Sequence, residues 1–217
     1  MALYIFSTAF ESNPFAPIPY TVSVGNTTIP EINETQQNIS EFRNAKFVTR
    51  LLFGVDSKFQ SNDILQNNID HFEWVTRNKI YPNFFGRYIF GDKCLSKDEI
   101  EFLHNHGCKI APIYKDDSAK ETEEQGKILA KKLDILALEL GIPEETAVFL
   151  EIADNETITT EFIKGFAKTL VFEGFTPGFK TNTDAKFSFD REFSRGMQSD
   201  KEIFKKCLIW AFHALPN

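Results

Sequence analysis

From Phe47 onward, short apolar runs alternate with longer stretches of helical period. This alternation restricts the available folds more than any other feature of the 217 residues. The strand candidates are Leu51–Val55, ending in Asp56, then Phe84–Phe90, Cys108–Tyr114, Ala147–Ile152, Phe175–Lys180 and Leu208–His213. Between them, Ser61 opens a helical pattern through about Asn78, with Leu65, Ile69 and Phe72 on one face. Ser96 with Glu99, and Ser118 with Glu121, have the spacing of capping boxes. The second box precedes the longest helix, on which Leu129, Leu133, Leu136 and Leu140 share a face until Gly141 and Pro143 end it. Another helix runs from Thr160 to Glu173 and closes at Gly174, and the stretch from Asp184 to Lys206 is mixed and partly helical. Such an order means βαβ units, a parallel sheet and helices on the outside. The expected architecture is α/β, a (β/α)8 TIM-type barrel. With six strands after residue 47 it is incomplete, or it borrows strands from the N-terminal region.

That region has a different texture. Pro14, Pro17, Pro19 and Pro30 punctuate β-prone pieces at Ala2–Phe6 and Tyr20–Val24, and Asn and Thr are frequent between Asn26 and Asn38. Residues 1–46 therefore read as an extended arm or small β appendage, and residues 47–217 as the barrel domain.

Composition narrows the function. A net charge of −7 and a pI near 5.2 speak against nucleic acid and against an anionic membrane surface. The apolar fraction of 42% supports a real core, which 23 phenylalanines make aromatic. Cys94, Cys108 and Cys207 lack metal-type spacing and read as buried thiols. No run is long enough to span a membrane, and the N-terminus lacks the basic start and cleavage site of a signal peptide. No phosphate loop, nucleophile elbow or Cys/His dyad is present, and nothing calls for a metal or cofactor. The histidines, His71, His104, His106 and His213, have no catalytic company in the sequence.

The segment Ala147–Glu156 carries the most chemistry. Ala147, Val148, Phe149, Leu150 and Ile152 suit a strand buried on both faces, while Glu151, Asp154 and Glu156 do not. A parallel strand whose carboxyl end turns acidic is either a solvated turn or a place for acid/base chemistry.

The order of short motifs is more specific. Gly54-Val55-Asp56 is followed by Phe85-Gly86-Arg87-Tyr88, Leu95-Ser96-Lys97-Asp98-Glu99-Ile100, Ala111-Pro112-Ile113-Tyr114 and Leu140-Gly141-Ile142-Pro143. Val148-Phe149-Leu150-Glu151, Pro177-Gly178-Phe179 and Ile209-Trp210-Ala211 complete the series. Over about residues 50–213 this succession resembles the glycoside-hydrolase-like domain of unknown function of bacterial exported and cell-wall-associated proteins. That family resembles a divergent TIM barrel related to lysozyme-type family twenty-five hydrolases.

The resemblance implies a polysaccharide or peptidoglycan fragment as partner, acted on or merely bound, and an exported or cell-wall address. It makes Asp56 one half of a carboxylate pair and Glu151 its partner. Such a pair needs its carboxyls within about 10 Å. Where the related hydrolases carry a second acid after the fourth strand, this chain has Ala153, with Asp154 next in line as a catalytic candidate. Flanked by Leu150 and Ile152, Glu151 is expected to be raised by desolvation and to serve as the acid. Arg87 either orients Asp56 or Glu151 or belongs to a structural ion pair. Tyr88, Tyr114 and Trp210 either stack on sugar rings or fill the core, and Asp116 and Lys180 complete the substrate-binding candidates.

Overall fold

The computed structural model describes residues 2–10, 21–25, 48–65, 68–77, 81–184 and 186–211, with side chains from Gly54 onward. Its strands are β1 (Ala2–Phe10), β2 (Thr21–Gly25), β3 (Val48–Ser57), β4 (Phe84–Tyr88), β5 (Lys109–Tyr114), β6 (Ala147–Glu151), β7 (Thr176–Thr181) and β8 (Leu208–Ala211). The helices are α1 (His71–Arg77), α2 (Lys97–Asn105), α3 (Glu123–Leu140), α4 (Thr160–Phe172), α5 (Ser188–Ser199) and α6 (Lys201–Phe204). Among the described residues no helix is long and apolar enough to cross a membrane.

The expected (β/α)8 TIM barrel is not formed. Strands β3 to β8 pair in parallel, each with the next, and make an open, curled half-barrel of six strands. Among the described residues the remaining arc holds no further βα units. There, β1 runs antiparallel to both β3 and β2, and β2 lies parallel to β8. Strand order thus passes from β3 through β1 and β2 to β8. Two strands from the N-terminal region thus lie where a full barrel would have two further βα units. The other residues of the expected arm, and His213 of the last expected strand, lie outside the described residues.

Strand alternation divides the sheet into two faces. On the concave face Phe84, Ile113, Phe149 and Trp210 form one aromatic cluster. Trp210 meets Phe84 and Phe149 edge to face, with ring centroids 6.1 and 5.2 Å away. Glycine makes the room. A Cβ on Gly86 would stand 2.6 Å from the Trp210 ring, and one on Gly178 would stand 2.5 Å from Phe149. On the convex face a larger core forms under the helices, including Leu133, Leu150, Phe162, Phe166 and Phe179. Leu133, Ile113, Phe149 and Trp210 are buried as their spacing predicts, and Leu136 packs at the edge of that core, partly covered.

Two helix starts differ from the sequence reading. The longest helix is capped by Thr122, whose hydroxyl accepts from Gln125 N while the Gln125 side chain accepts from Thr122 N. Ser118 instead turns to Asp116. Lys120 fixes this choice. It is buried, pairs with Glu156 at 2.8 Å, and bridges backbone to Ile158, so the chain is still extended there. The helix predicted from Ser61 shrinks to His71–Arg77, because Asp63 accepts from His71 N and Ser61 from Phe72 N in a loop that doubles back.

Candidate functional site

Five strands deliver one side chain each to the concave face near the carboxyl end of the sheet: Asp56, Tyr88, Glu151, Lys180 and Trp210. Lys180 is the hub. Its Nζ donates to Asp56 Oδ2, to Glu151 Oε2 at 2.9 Å and to the Tyr88 hydroxyl at 3.2 Å. An ammonium has three donors, and all three are used. The Tyr88 hydroxyl donates to Glu151 Oε2, and Lys115 Nζ lies 2.7 Å from Glu151 Oε1. The Lys180 ammonium also stands 5.3 Å from the centroid of the Tyr88 ring and 5.4 Å from that of Trp210, close enough for cation–π attraction.

Two carboxylates and two ammoniums thus balance in charge. Because one nitrogen bonds both acids, the bonded oxygens of Asp56 and Glu151 lie no more than about 6 Å apart. Glu151 is only 8% exposed. Burial, the largest single influence, would raise its pKa. The Lys180 charge and the hydrogen bonds from Lys115, Tyr88 and Lys180 together outweigh that and hold it at about 2. The expectation of a desolvated, protonated Glu151 is therefore reversed. The apolar neighbours Leu150 and Ile152 face the convex side of the sheet with the main core, not the carboxyl.

Arg87 does not join the cluster. It is adjacent to Tyr88 in one strand, so it points to the convex face. Its Nε bonds Glu99 Oε1 of α2 at 2.7 Å, and its remaining nitrogens donate to the carbonyls of Ser57 and Lys93. Both Arg87 and Glu99 are fully buried, and Glu99 also accepts from Ser61 N. Of the alternatives open from sequence, this geometry is the structural ion pair.

Tyr114 likewise faces the convex core. Its hydroxyl donates to Asp116 Oδ2 at 2.8 Å, and burial with that bond raises its pKa. Asp116 is occupied with Tyr114 and Ser118. Asp154 is exposed in the turn after β6 and accepts from Asn182 at 3.5 Å. Ala153 gives its N–H to Glu156, which pairs with Lys120.

Beside Asp56 and Tyr88 opens a cleft of about 530 Å³, lined further by Lys58, Phe59, Trp74 and His71. Phe59 is 55% exposed and Trp74 38%. The sequence reading passed over these two, since neither sits on a strand; an aromatic just past the Asp56 strand end is the available signal. His71 forms a buried part of the wall, and burial, reinforced by the Arg87 charge, lowers its pKa. Among the described residues no cluster of His, Cys, Asp and Glu is arranged to hold a metal ion.

No family model and no curated protein matches this sequence. Among solved structures the chain is similar to an uncharacterized B. stearothermophilus protein. The TM-score is 0.65 at 26% identity, covering 76% of this chain and 75% of that one. It also matches the modular autolysin LytC from Streptococcus pneumoniae, solved in complex with a synthetic peptidoglycan ligand. That match has a TM-score of 0.42 at 11% identity, over 58% of this chain and 32% of that one. The first neighbour shows that the fold recurs over about three quarters of this chain.

Proposed function

We propose that this protein binds cell-wall polysaccharide or a peptidoglycan fragment in the cleft beside Asp56, without cleaving it. One observation carries the reading: a single buried ammonium bonds both candidate acids. Hydrolysis of a glycosidic bond needs one carboxyl protonated and the other ionised, with their pKa values pushed apart. Lys180 pushes Glu151 the other way and fills the gap where the glycosidic oxygen belongs. An ionised, oriented carboxylate is instead a strong acceptor for sugar hydroxyls. Phe59, Trp74 and Tyr88 supply the apolar faces on which a sugar ring packs, in a cleft large enough for one or two rings. An exported or wall-associated address follows from the same reading.

Hydrolysis is the second reading, because the oxygen separation of Asp56 and Glu151 falls at the short end of the range used by glycosidases, where retaining enzymes lie. The two are separated by co-sedimentation with insoluble peptidoglycan and by release of reducing ends from peptidoglycan and neutral glucans, each with wild type and Glu151→Gln. Binding without release is the expected result. Release by the wild type that Glu151→Gln abolishes would establish the hydrolase instead.

A further inference from the structure

We infer that Lys180 is the positioning residue of this site: its ammonium, fixed between β3 and β6, holds Asp56 and Glu151 as a rigid anionic acceptor pair and thereby excludes acid/base chemistry from the cleft. The inference deepens the binding reading and rests on it for its functional meaning.

The geometry is a closed arrangement. Lys180 is 4% exposed, so its charge has no water to fall back on. Its three donors end on Asp56, Glu151 and Tyr88, and the faces of Tyr88 and Trp210 flank it. Trp210 is itself wedged by Phe84 and Phe149 over Gly86. The ammonium therefore cannot swing aside without breaking three bonds and unpacking the aromatic floor. Lys115, the other cation on Glu151, is different. It is about one-third exposed and reaches a single oxygen, Oε1. Lys115 is thus the more accessible of the two cations on Glu151, and Lys180 is the enclosed one.

Removing Lys180 leaves two carboxylates side by side in a desolvated place, a situation in which one of them takes up a proton. The test is to follow the Glu151 side-chain carboxyl by 13C NMR through a pH titration, in protein without glycan. Three variants are compared: Lys180→Met, Lys180→Arg and Lys115→Met. In Lys180→Met the proton affinity of Glu151 is expected to rise at least about thirtyfold, a shift of about one and a half pH units. Lys115→Met is expected to move it several-fold less, and Lys180→Arg least. Should Lys180→Met fail to fold, Lys180→Met combined with Asp56→Asn is compared with Asp56→Asn alone, so that the shift reads the loss of the ammonium. A Glu151 titration that the Lys180→Met protein leaves within about threefold of its reference overturns the inference.

Peptidoglycan co-sedimentation of the same proteins separates the two claims. Lys180→Met is expected to lose at least about tenfold in binding, whereas Trp74→Ala loses binding without moving the titration. A shifted titration in a protein whose wild type never binds glycan would retain the lock and refute the binding function.

Discussion

Arg87 and Tyr88 are neighbours in β4, yet they serve two buried ionic clusters of opposite character. On the convex face, Arg87 and Glu99 are sealed beneath α2 and the loops after β3 and β4, and backbone carbonyls complete the guanidinium. On the concave face, Tyr88, Lys180, Asp56 and Glu151 are almost as buried, but two of them, Asp56 and Tyr88, line a cleft with exposed aromatic rings. Burial and charge alone do not distinguish them. What distinguishes them is the surroundings: the first cluster connects a helix to a sheet, and the second connects strands to an opening. A buried ion pair is weak evidence of function until it is known what lies on its open side.

The comparison can be broken most severely at the sealed cluster. Arg87→Met leaves Glu99 as an uncompensated buried charge and is expected to cost about 3–5 kcal/mol, read as a lower urea midpoint. Peptidoglycan binding per folded molecule should be unchanged. A large binding loss in folded Arg87→Met protein would show that the convex cluster supports the cleft directly.

The cleft-side cluster should show itself in the pH dependence of stability. Glu151 is held at about 2, below its ordinary value of 4.5. The folded state therefore binds this proton less readily than the unfolded chain. The stabilisation is fully present above about pH 4.5 and disappears as pH falls toward about 2, amounting to about 3 kcal/mol in all. Unfolding midpoints across that window should fall in wild type, and the portion due to Glu151 should vanish in Glu151→Gln. Equal acid slopes in the two proteins would place Glu151 outside the ionic cluster.

The smallest change is Gly86→Ala. The added methyl meets the Trp210 ring, so overpacking of about 1–3 kcal/mol is expected. Because Trp210 is the floor under Lys180, weaker binding should accompany the lower melting temperature. A variant of wild-type stability would mean that the floor has room to give.

Much of this was legible in the chain. The six βα-type strands, the burial of Ile113, Phe149 and Trp210, and the strand-end positions of Asp56 and Glu151 follow from period and register. Alternation also bears on Arg87 and Tyr88: adjacent residues of a strand face opposite sides, so the two could not both reach the concave face. What period cannot give is pairing over distance. Lys180 could be named as a polar residue at a strand end, but its contact with Asp56 spans 124 positions and depends on how the sheet curls. The direction of the Glu151 pKa depended on the bonds its carboxyl receives from Lys180, Lys115 and Tyr88, which is why desolvation read from Leu150 and Ile152 gave the wrong sign. The start of α3 was hidden for a similar reason, since Lys120 is held by Glu156 from the next βα unit. The two missing βα units were visible as a shortage of strands, while the way the gap is spanned was not.

The pairing of β2 with β8 also sets a timetable. Thr21 meets Ile209, so all of the chain from β2 through β8 must be made before that ladder can form. At ribosomal speeds of about 5–20 residues per second, β2 waits on the order of ten seconds or more for its partner. Closing so large a loop is slow, and until it closes β2 and β8 each offer an open edge to other chains. The connectivity thus makes the β2–β8 ladder a late step in the assembly of this sheet.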